Sequence, residues 1–225
     1  IIRRPPRSTL ARPRRQRQMC IRDRVCPVNA ISLADLDEGF GVGVPYIDTR
    51  KQACDFSCDG LQCVLACPTG ALTHHINYSH EADMAMAHVV NEKQCLAVLG
   101  QGFKGQARGA SFKGKLRYEE VDRWNPIPVS DYPYDLELCD LCVRQCPIEI
   151  RLAQCEAGKP PSGDENQCPP QHAIKLEAIA SDDGIVRKRP VILDGCVGCG
   201  VCEMICPPDP AVIVMDSTES RGEVV

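Results

Sequence analysis

The chain has 225 residues, with 26 basic and 30 acidic side chains and a formal charge of −4. Its apolar runs stay well below the roughly 18 residues that a membrane-spanning helix needs, so we expect no span. Only ten residues are aromatic, whereas 16 are cysteine. We therefore do not expect one large packed core, and we expect cysteine chemistry to help hold small domains together.

The first 24 residues differ from the rest, because they contain nine of the basic residues and one acidic residue. Their MCIRDR segment resembles the read-through of a sequencing-library adapter, so we interpret residues 1–24, with Cys20, as artefact. A basic arm for nucleic acid and a transit or export signal are the alternatives, but no apolar stretch follows. The remainder has 17 basic and 29 acidic side chains, a net charge of −12, and we expect no nucleic-acid partner.

The most specific motif is Cys196-x2-Cys199-x2-Cys202-x3-Cys206, followed by proline. This spacing is typical of bacterial 4Fe-4S ferredoxins, in which three thiolates hold one cluster and the fourth ligates another. The proline turns the chain away from the cluster. The glycines at 195, 198 and 200 are predicted to let backbone N–H groups approach the cluster sulfides.

Three variants of this motif precede it, and each ends in Cys-Pro. They contain Cys26, then Cys54, Cys58, Cys63 and Cys67, then Cys139, Cys142 and Cys146. A turn and a short apolar stretch follow the proline in CPVNAISL, CPTGALTH and CPPDPAVIV. This internal repeat predicts an α+β fold of tandem ferredoxin-like modules, with short strands and helical turns around 4Fe-4S clusters and loop-rich insertions. A zinc or disulfide scaffold is the structural alternative.

The order of the groups resembles the NapG/MauM-type four-cluster ferredoxins of periplasmic nitrate reductase and methylamine utilisation systems. The resemblance rests on VCPVNAISL, VPYIDTRKQACDFSC, LQCVLACPTGAL, the single cysteine of VNEKQCLAV, LCDLCVRQCPI and DGCVGCGVCEMICP. It implies four clusters in the intact protein and three complete sites here, because the first three ligands of the first group fall where residues 1–24 stand. The thirteen implied ligands are Cys26, Cys54, Cys58, Cys63, Cys67, Cys95, Cys139, Cys142, Cys146, Cys196, Cys199, Cys202 and Cys206.

The resemblance also implies a pairing of the first cysteine group with the fourth and of the second with the third. The complete sites would be Cys196, Cys199 and Cys202 with Cys26; Cys54, Cys58 and Cys63 with Cys146; and Cys95, Cys139 and Cys142 with Cys67. Cys206 would then belong to the incomplete site. Pairing within each group remains the alternative.

These motifs predict five units after residue 24. Residues 25–50 hold the remnant of the first motif, 51–99 the second motif with the first ligand of the third, and 100–138 a loop insertion. Residues 139–180 hold the third motif with a surface insertion at 148–171, and 181–225 the fourth.

The insertion at 100–138 contains a formal match to the dinucleotide fingerprint, GQGFKG, but no helical pattern follows, and we do not expect nucleotide binding. It also carries a run of cations at Lys104, Arg108, Lys113, Lys115 and Arg117. We interpret this run as a solvated loop, with docking of an acidic redox partner as the alternative.

The insertion at 148–171 holds the two cysteines outside the motifs, Cys155 and Cys168. A disulfide is the first interpretation if the protein is exported; free thiols or replacement of a missing ligand are the others. The five histidines, His74, His75, His80, His88 and His172, show no ligand spacing and are interpreted as surface or packing residues. Trp124 is expected to anchor its loop.

A row of clusters transfers single electrons, and no acid, base or nucleophile converges beside the motifs. We therefore predict a non-catalytic electron carrier. The resemblance implies a relay from quinol, through a membrane ferredoxin or cytochrome partner, to a periplasmic reductase such as nitrate reductase. The alternatives are an iron-sulfur subunit of a molybdopterin oxidoreductase or hydrogenase complex and the structural scaffold named above. By resemblance the location is periplasmic, with the cytoplasm as the alternative.

Overall fold

A computed structural model describes residues 25–34, 45–58, 61–67, 72, 75–118, 125–180 and 184–217. The predicted artefact at 1–24, with Cys20, lies outside the described residues, as do His74 and Trp124. No helix in these ranges has the length and apolarity that crossing a membrane requires.

The strands in the described ranges are short, and each belongs to a two-stranded antiparallel sheet. β1 (Ile31–Leu33) pairs with β2 (Pro45–Ile47), and β3 (Met86–Val89) pairs with β10 (Ile213–Asp216). β4 (Phe103–Gly105) pairs with β7 (Tyr134–Leu136), and β5 (Lys115–Leu116) with β6 (Ile127–Pro128). The longest hairpin joins β8 (Ile174–Ile179) to β9 (Arg187–Ile192).

Short helices follow the cysteine loops. The described α-helices are α1 (Gln62–Leu65), α2 (Leu141–Arg144), α3 (Pro147–Glu156) and α4 (Val201–Ile205), and short 3-10 turns lie between them. α1, α2 and α4 each carry one cysteine of a motif, and α3 begins at a proline, whose fixed φ suits the first position of a helix. Short helices and strands in one chain agree with the predicted α+β class.

The core is aliphatic and includes cysteine side chains. Val201, Met204 and Ile205 of α4 are fully buried, and Val197 and Ile213 are nearly so. β3 brings residues from the middle of the chain against β10 near its end, and this pairing closes the core around the last cysteine motif. The cysteine motif is therefore folded into the interior.

Two glycines of the last motif make close packing possible. Gly198 has φ +68° and Gly200 has φ +82°, a backbone region that residues with a Cβ rarely adopt. A Cβ on Gly198 would collide with the backbone of Ala85, and one on Gly200 with the side chain of Thr49. The structure thus gives these glycines a packing role in addition to the predicted approach of amides to sulfide.

The segment 100–138, predicted as a loop insertion, contains β4 to β7 and a cluster of tyrosines. The Tyr118 and Tyr132 rings stack with centroids 3.9 Å apart, and the Tyr118 and Tyr134 hydroxyls lie 2.9 Å apart. Much of 148–171, predicted as a surface insertion, belongs to α3, whose buried Arg151 donates hydrogen bonds to the Phe56 carbonyl and to Gln167. Both segments therefore contribute packed structure.

Replacing Gly198 with alanine should destabilise the protein by more than about 3 kcal/mol, because strained φ and a backbone collision act together. Gly158→Ala is the matched control: its φ is +71°, but nothing lies within 4 Å of the added Cβ. This control should cost about 1 kcal/mol. Denaturant unfolding without oxygen measures the free energy of unfolding of both variants. Equal losses of this free energy would contradict the packing role of Gly198.

Candidate metal centres

Four cysteines line one small cavity at the start of α4. We call Cys146, Cys196, Cys199 and Cys202 the central set. Cys146 and Cys196 interact electrostatically with Cys199 and also with Cys202. Apolar side chains including Ile148, Ile174 and Val201 complete the wall. Four soft sulfur donors thus face a small, largely apolar space.

A second group combines the lone cysteine of VNEKQCLAV with the third motif and the last cysteine of the fourth. We call Cys95, Cys139, Cys142 and Cys206 the Cys95 set. Cys95 and Cys206 both act electrostatically on Cys139 and on Cys142. Cys95 also acts on Cys206, so these thiols share one neighbourhood.

A third group lies at the N-terminal side of the described chain, and we call Cys26, Cys54, Cys58 and Cys63 the Cys26 set. Cys58 interacts electrostatically with each of the other three, and Cys26 also acts on Cys63. The thirteenth predicted ligand, Cys67, is buried just after α1. The three sets account for the other twelve.

The central set is adjacent to both of the others. On one side, the Cys54 amide donates a hydrogen bond of 3.2 Å to the Cys199 carbonyl, and the two thiols interact. On the other side, Cys142 acts electrostatically on Cys202. The central set is therefore a neighbour of each of the other two sets, and we call this succession of neighbours the row.

This grouping differs from the predicted pairing. Cys146 joins the 196–202 loop instead of the 54–63 loop, Cys206 joins Cys95 and its neighbours, and Cys26 joins the 54–63 loop. The physical reason is that the β8–β9 hairpin and the β3–β10 pairing fold the third and fourth motifs against each other. Each of these motifs then supplies its last cysteine to the other's site, as in two-cluster ferredoxins.

Burial controls the protonation of these thiols. It raises the pKa of Cys146 to about 12 and that of Cys139 to about 11, and it raises those of Cys54, Cys199 and Cys202 well above the ordinary range. Desolvation disfavours a thiolate unless a cationic centre compensates it. Because metal binding deprotonates its thiol ligands, these sites suit a cationic centre that bonds the sulfurs directly.

The donor set fits an iron-sulfur cluster. Four cysteine sulfurs are the usual ligands of 4Fe-4S centres, and soft thiolates favour iron-sulfur chemistry. Within the described ranges, no three His, Cys, Asp or Glu side chains stand at the spacing needed to hold a single metal ion. A cubane is larger than one ion and holds its ligands further apart, so a single-ion geometry is not required of a cluster site.

Backbone amides point at some of the sulfurs. The Ala30 amide donates to Cys26 Sγ at 3.3 Å, and the Val212 amide donates to Cys206 Sγ at 3.4 Å. Further amide hydrogen bonds lower the pKa of Cys146 and of Cys199 against the larger effect of burial. Such bonds stabilise negative sulfur and raise the reduction potential of a cluster.

The two cysteines outside the motifs form a disulfide. Cys155 on α3 is bonded to Cys168, with Cα atoms 5.9 Å apart. The thirteen predicted ligands all lie outside this bond as thiols. The first of the three interpretations of this pair, a disulfide, is therefore the one found in the structure.

The cationic run at 104–117 is engaged within the protein at two positions at least. Lys104 pairs with Asp135 at 2.9 Å, and Arg108 donates hydrogen bonds to backbone carbonyls and covers the Phe112 ring. Sequence reasoning also overlooked Arg50, whose side chain binds the end of α4. A single arginine in DTRKQ carries no pattern, so only the fold could reveal its position.

The histidines have packing and surface roles where they are described. His172 Nδ1 lies 2.8 Å from Glu149, and this hydrogen bond raises the His172 pKa. His80 is stacked on Tyr78, and burial lowers its pKa. Neither residue belongs to the three cysteine sets.

Comparison with known proteins shows that the chain is similar in sequence to ferredoxin-type proteins. The chain is 27% identical over 202 residues to the ferredoxin-type protein NapG of Escherichia coli (strain K12), covering 89% of this chain and 64% of that protein. It is 28% identical over 188 residues to the methylamine utilization ferredoxin-type protein MauM of Paracoccus denitrificans, covering 84% and 57%. The MauM protein of Methylobacillus flagellatus is 26% identical over 195 residues, covering 87% and 58%.

The chain thus spans slightly less than two thirds of the length of these relatives. No protein-family model matches it, and no solved structure matches it significantly. The predicted resemblance to the NapG- and MauM-type ferredoxin proteins is confirmed by these sequence comparisons.

Proposed function

We propose that the chain is an iron-sulfur electron carrier that holds three 4Fe-4S clusters, one in each four-cysteine set. The observation that carries this proposal is the row of three sets, with the central set adjacent to the other two. A 4Fe-4S cluster supplies reversible one-electron chemistry when it is bound. Adjacent sites give single electrons a path through the protein.

The three sets differ in how far their cysteines are exposed to solvent. Three of the four cysteines of the central set are buried, whereas Cys26, Cys58 and Cys63 of the Cys26 set and Cys139 and Cys206 of the Cys95 set are partly exposed. Burial excludes water from the centre, and partial exposure brings the ends within reach of partners. We therefore propose that the central set relays electrons internally and that the outer sets exchange them with other proteins.

The partners and location follow from the relatives as proposals. Some relatives are named ferredoxin-type protein NapG. For this chain we propose a relay from quinol through a membrane partner towards a periplasmic reductase such as nitrate reductase. The Cys155–Cys168 disulfide supports a periplasmic location, because disulfides persist in oxidising compartments.

Iron and acid-labile sulfide per chain test the cofactor proposal. The chain, reconstituted without oxygen, should bind about twelve of each and show broad, reducible visible absorption, because three four-thiol sets each hold one cubane. About sixteen would contradict three clusters and indicate a further site. Zinc with little iron would overturn the electron-carrier proposal.

A double substitution tests which cysteines share a cluster. Cys146→Ser and Cys202→Ser should each reduce the iron content to about eight, and the double variant should also keep about eight, because both ligands belong to one set. Cys155→Ser is the control and should keep about twelve, since Cys155 lies in the disulfide. About four iron atoms in the double variant would mean that the two cysteines serve different clusters.

A further inference from the structure

Arg50 holds the backbone where the chain leaves the last cysteine motif. Its guanidinium donates hydrogen bonds to the carbonyls of Glu203 at 2.7 Å, Cys206 at 2.9 Å and Pro208 at 2.6 Å. It also lies 3.6 Å from the exposed carboxylate of Asp209. One side chain from the 25–50 segment therefore holds the backbone on both sides of a ligand of the Cys95 set.

A second arginine reaches the same place from the 100–138 segment. Arg108 donates hydrogen bonds to the carbonyls of Met204 at 3.1 Å and Arg50 at 3.3 Å, and its guanidinium lies 4.6 Å from the centre of the Phe112 ring. Burial and the neighbouring Arg50 lower the Arg108 pKa, but a guanidinium stays protonated in proteins. Two cations thus stand together at the end of α4.

Both charges act on Cys206. Arg50 donates to the Cys206 carbonyl itself, and Arg108 donates to the carbonyl of Met204, two residues earlier in the chain. A cation also reaches the Cys26 set, where the buried Arg151 donates one hydrogen bond of 3.1 Å to the Phe56 carbonyl. Asp140 also acts on Cys139 of the Cys95 set, so the arginines are not the only charges there.

A fixed positive charge stabilises the more negative, reduced state of a nearby cluster. The effect is strongest where water is excluded, and net charge is among the factors that set iron-sulfur potentials. Asp209 opposes it weakly, since its side chain is 86% exposed and solvent screens it. The geometry therefore favours electron uptake at the Cys95 set.

We infer that Arg50 and Arg108 raise the reduction potential of the cluster held by the Cys95 set. This set then accepts an electron more readily than it would without the two arginines. The two arginines act through charge and position and do not ligate the cluster. This inference rests on the proposed iron-sulfur function.

Potentiometric titration of the full chain, followed by electron paramagnetic resonance, tests the inference. Arg50→Gln and Arg108→Gln should each shift one couple to lower potential, the same couple in both variants, and leave the other two unchanged. Arg50→Lys and Arg108→Lys should leave the reduction potential of that couple close to its value in the unchanged protein, because they keep the positive charge. Arg189→Gln is the control, an exposed arginine paired with Glu177 at 3.4 Å on the β8–β9 hairpin, and should shift none.

The outcomes separate this inference from the function on which it rests. A chain without about twelve iron atoms overturns the proposed function and the inference with it. Full iron with no shift in the glutamine variants, or shifts of two different couples, overturns the inference alone. If Arg50→Gln loses a cluster, the Arg108→Gln and Arg50→Lys variants decide: no shifted couple in the former, or a fall of one couple in the latter, overturns it.

Discussion

The burial of sulfur ligands is the constraint on which the rest of the structure depends. The central set places four thiols around one apolar cavity, where a thiolate without a compensating cation is costly. The same cysteines belong to the aliphatic core. A chain with so few aromatic residues can therefore gain part of its cohesion from metal–sulfur bonds, which couple metal binding to folding.

The backbone is arranged to bring distant cysteines together. β3 and β10 join chain positions more than 120 residues apart, and the β8–β9 hairpin connects the third motif to the fourth. Gly198 permits the last motif to approach Ala85 closely. These contacts, together with the Arg50 hydrogen bonds, hold the loop around Cys206 from several directions, so its position depends on segments far away in sequence.

Sequence spacing predicted a large share of the candidate site. The thirteen cysteines assigned as ligands are those that the structure leaves outside the disulfide, and Cys155 and Cys168 form the disulfide that was the first interpretation for that pair. The pairing of the cysteine groups differed, because spacing identifies which sulfurs share a loop and not which loops become neighbours. The role of Arg108 was hidden for a similar reason: its place in a cationic run suggested solvent, whereas the fold carries it to the Cys206 loop.

Local chemistry in the chain is sufficient to define the ligand loops, the Cys-Pro exits and the α+β character, because each depends on residues within a few positions of one another. The exchange of Cys146 and Cys206 between neighbouring sites, the order of the three sets and the convergence of Arg50 with Arg108 depend on tertiary structure. These features arise from strand pairing and close packing between remote segments. Contacts of that kind leave no local periodicity, so only the folded chain decides them.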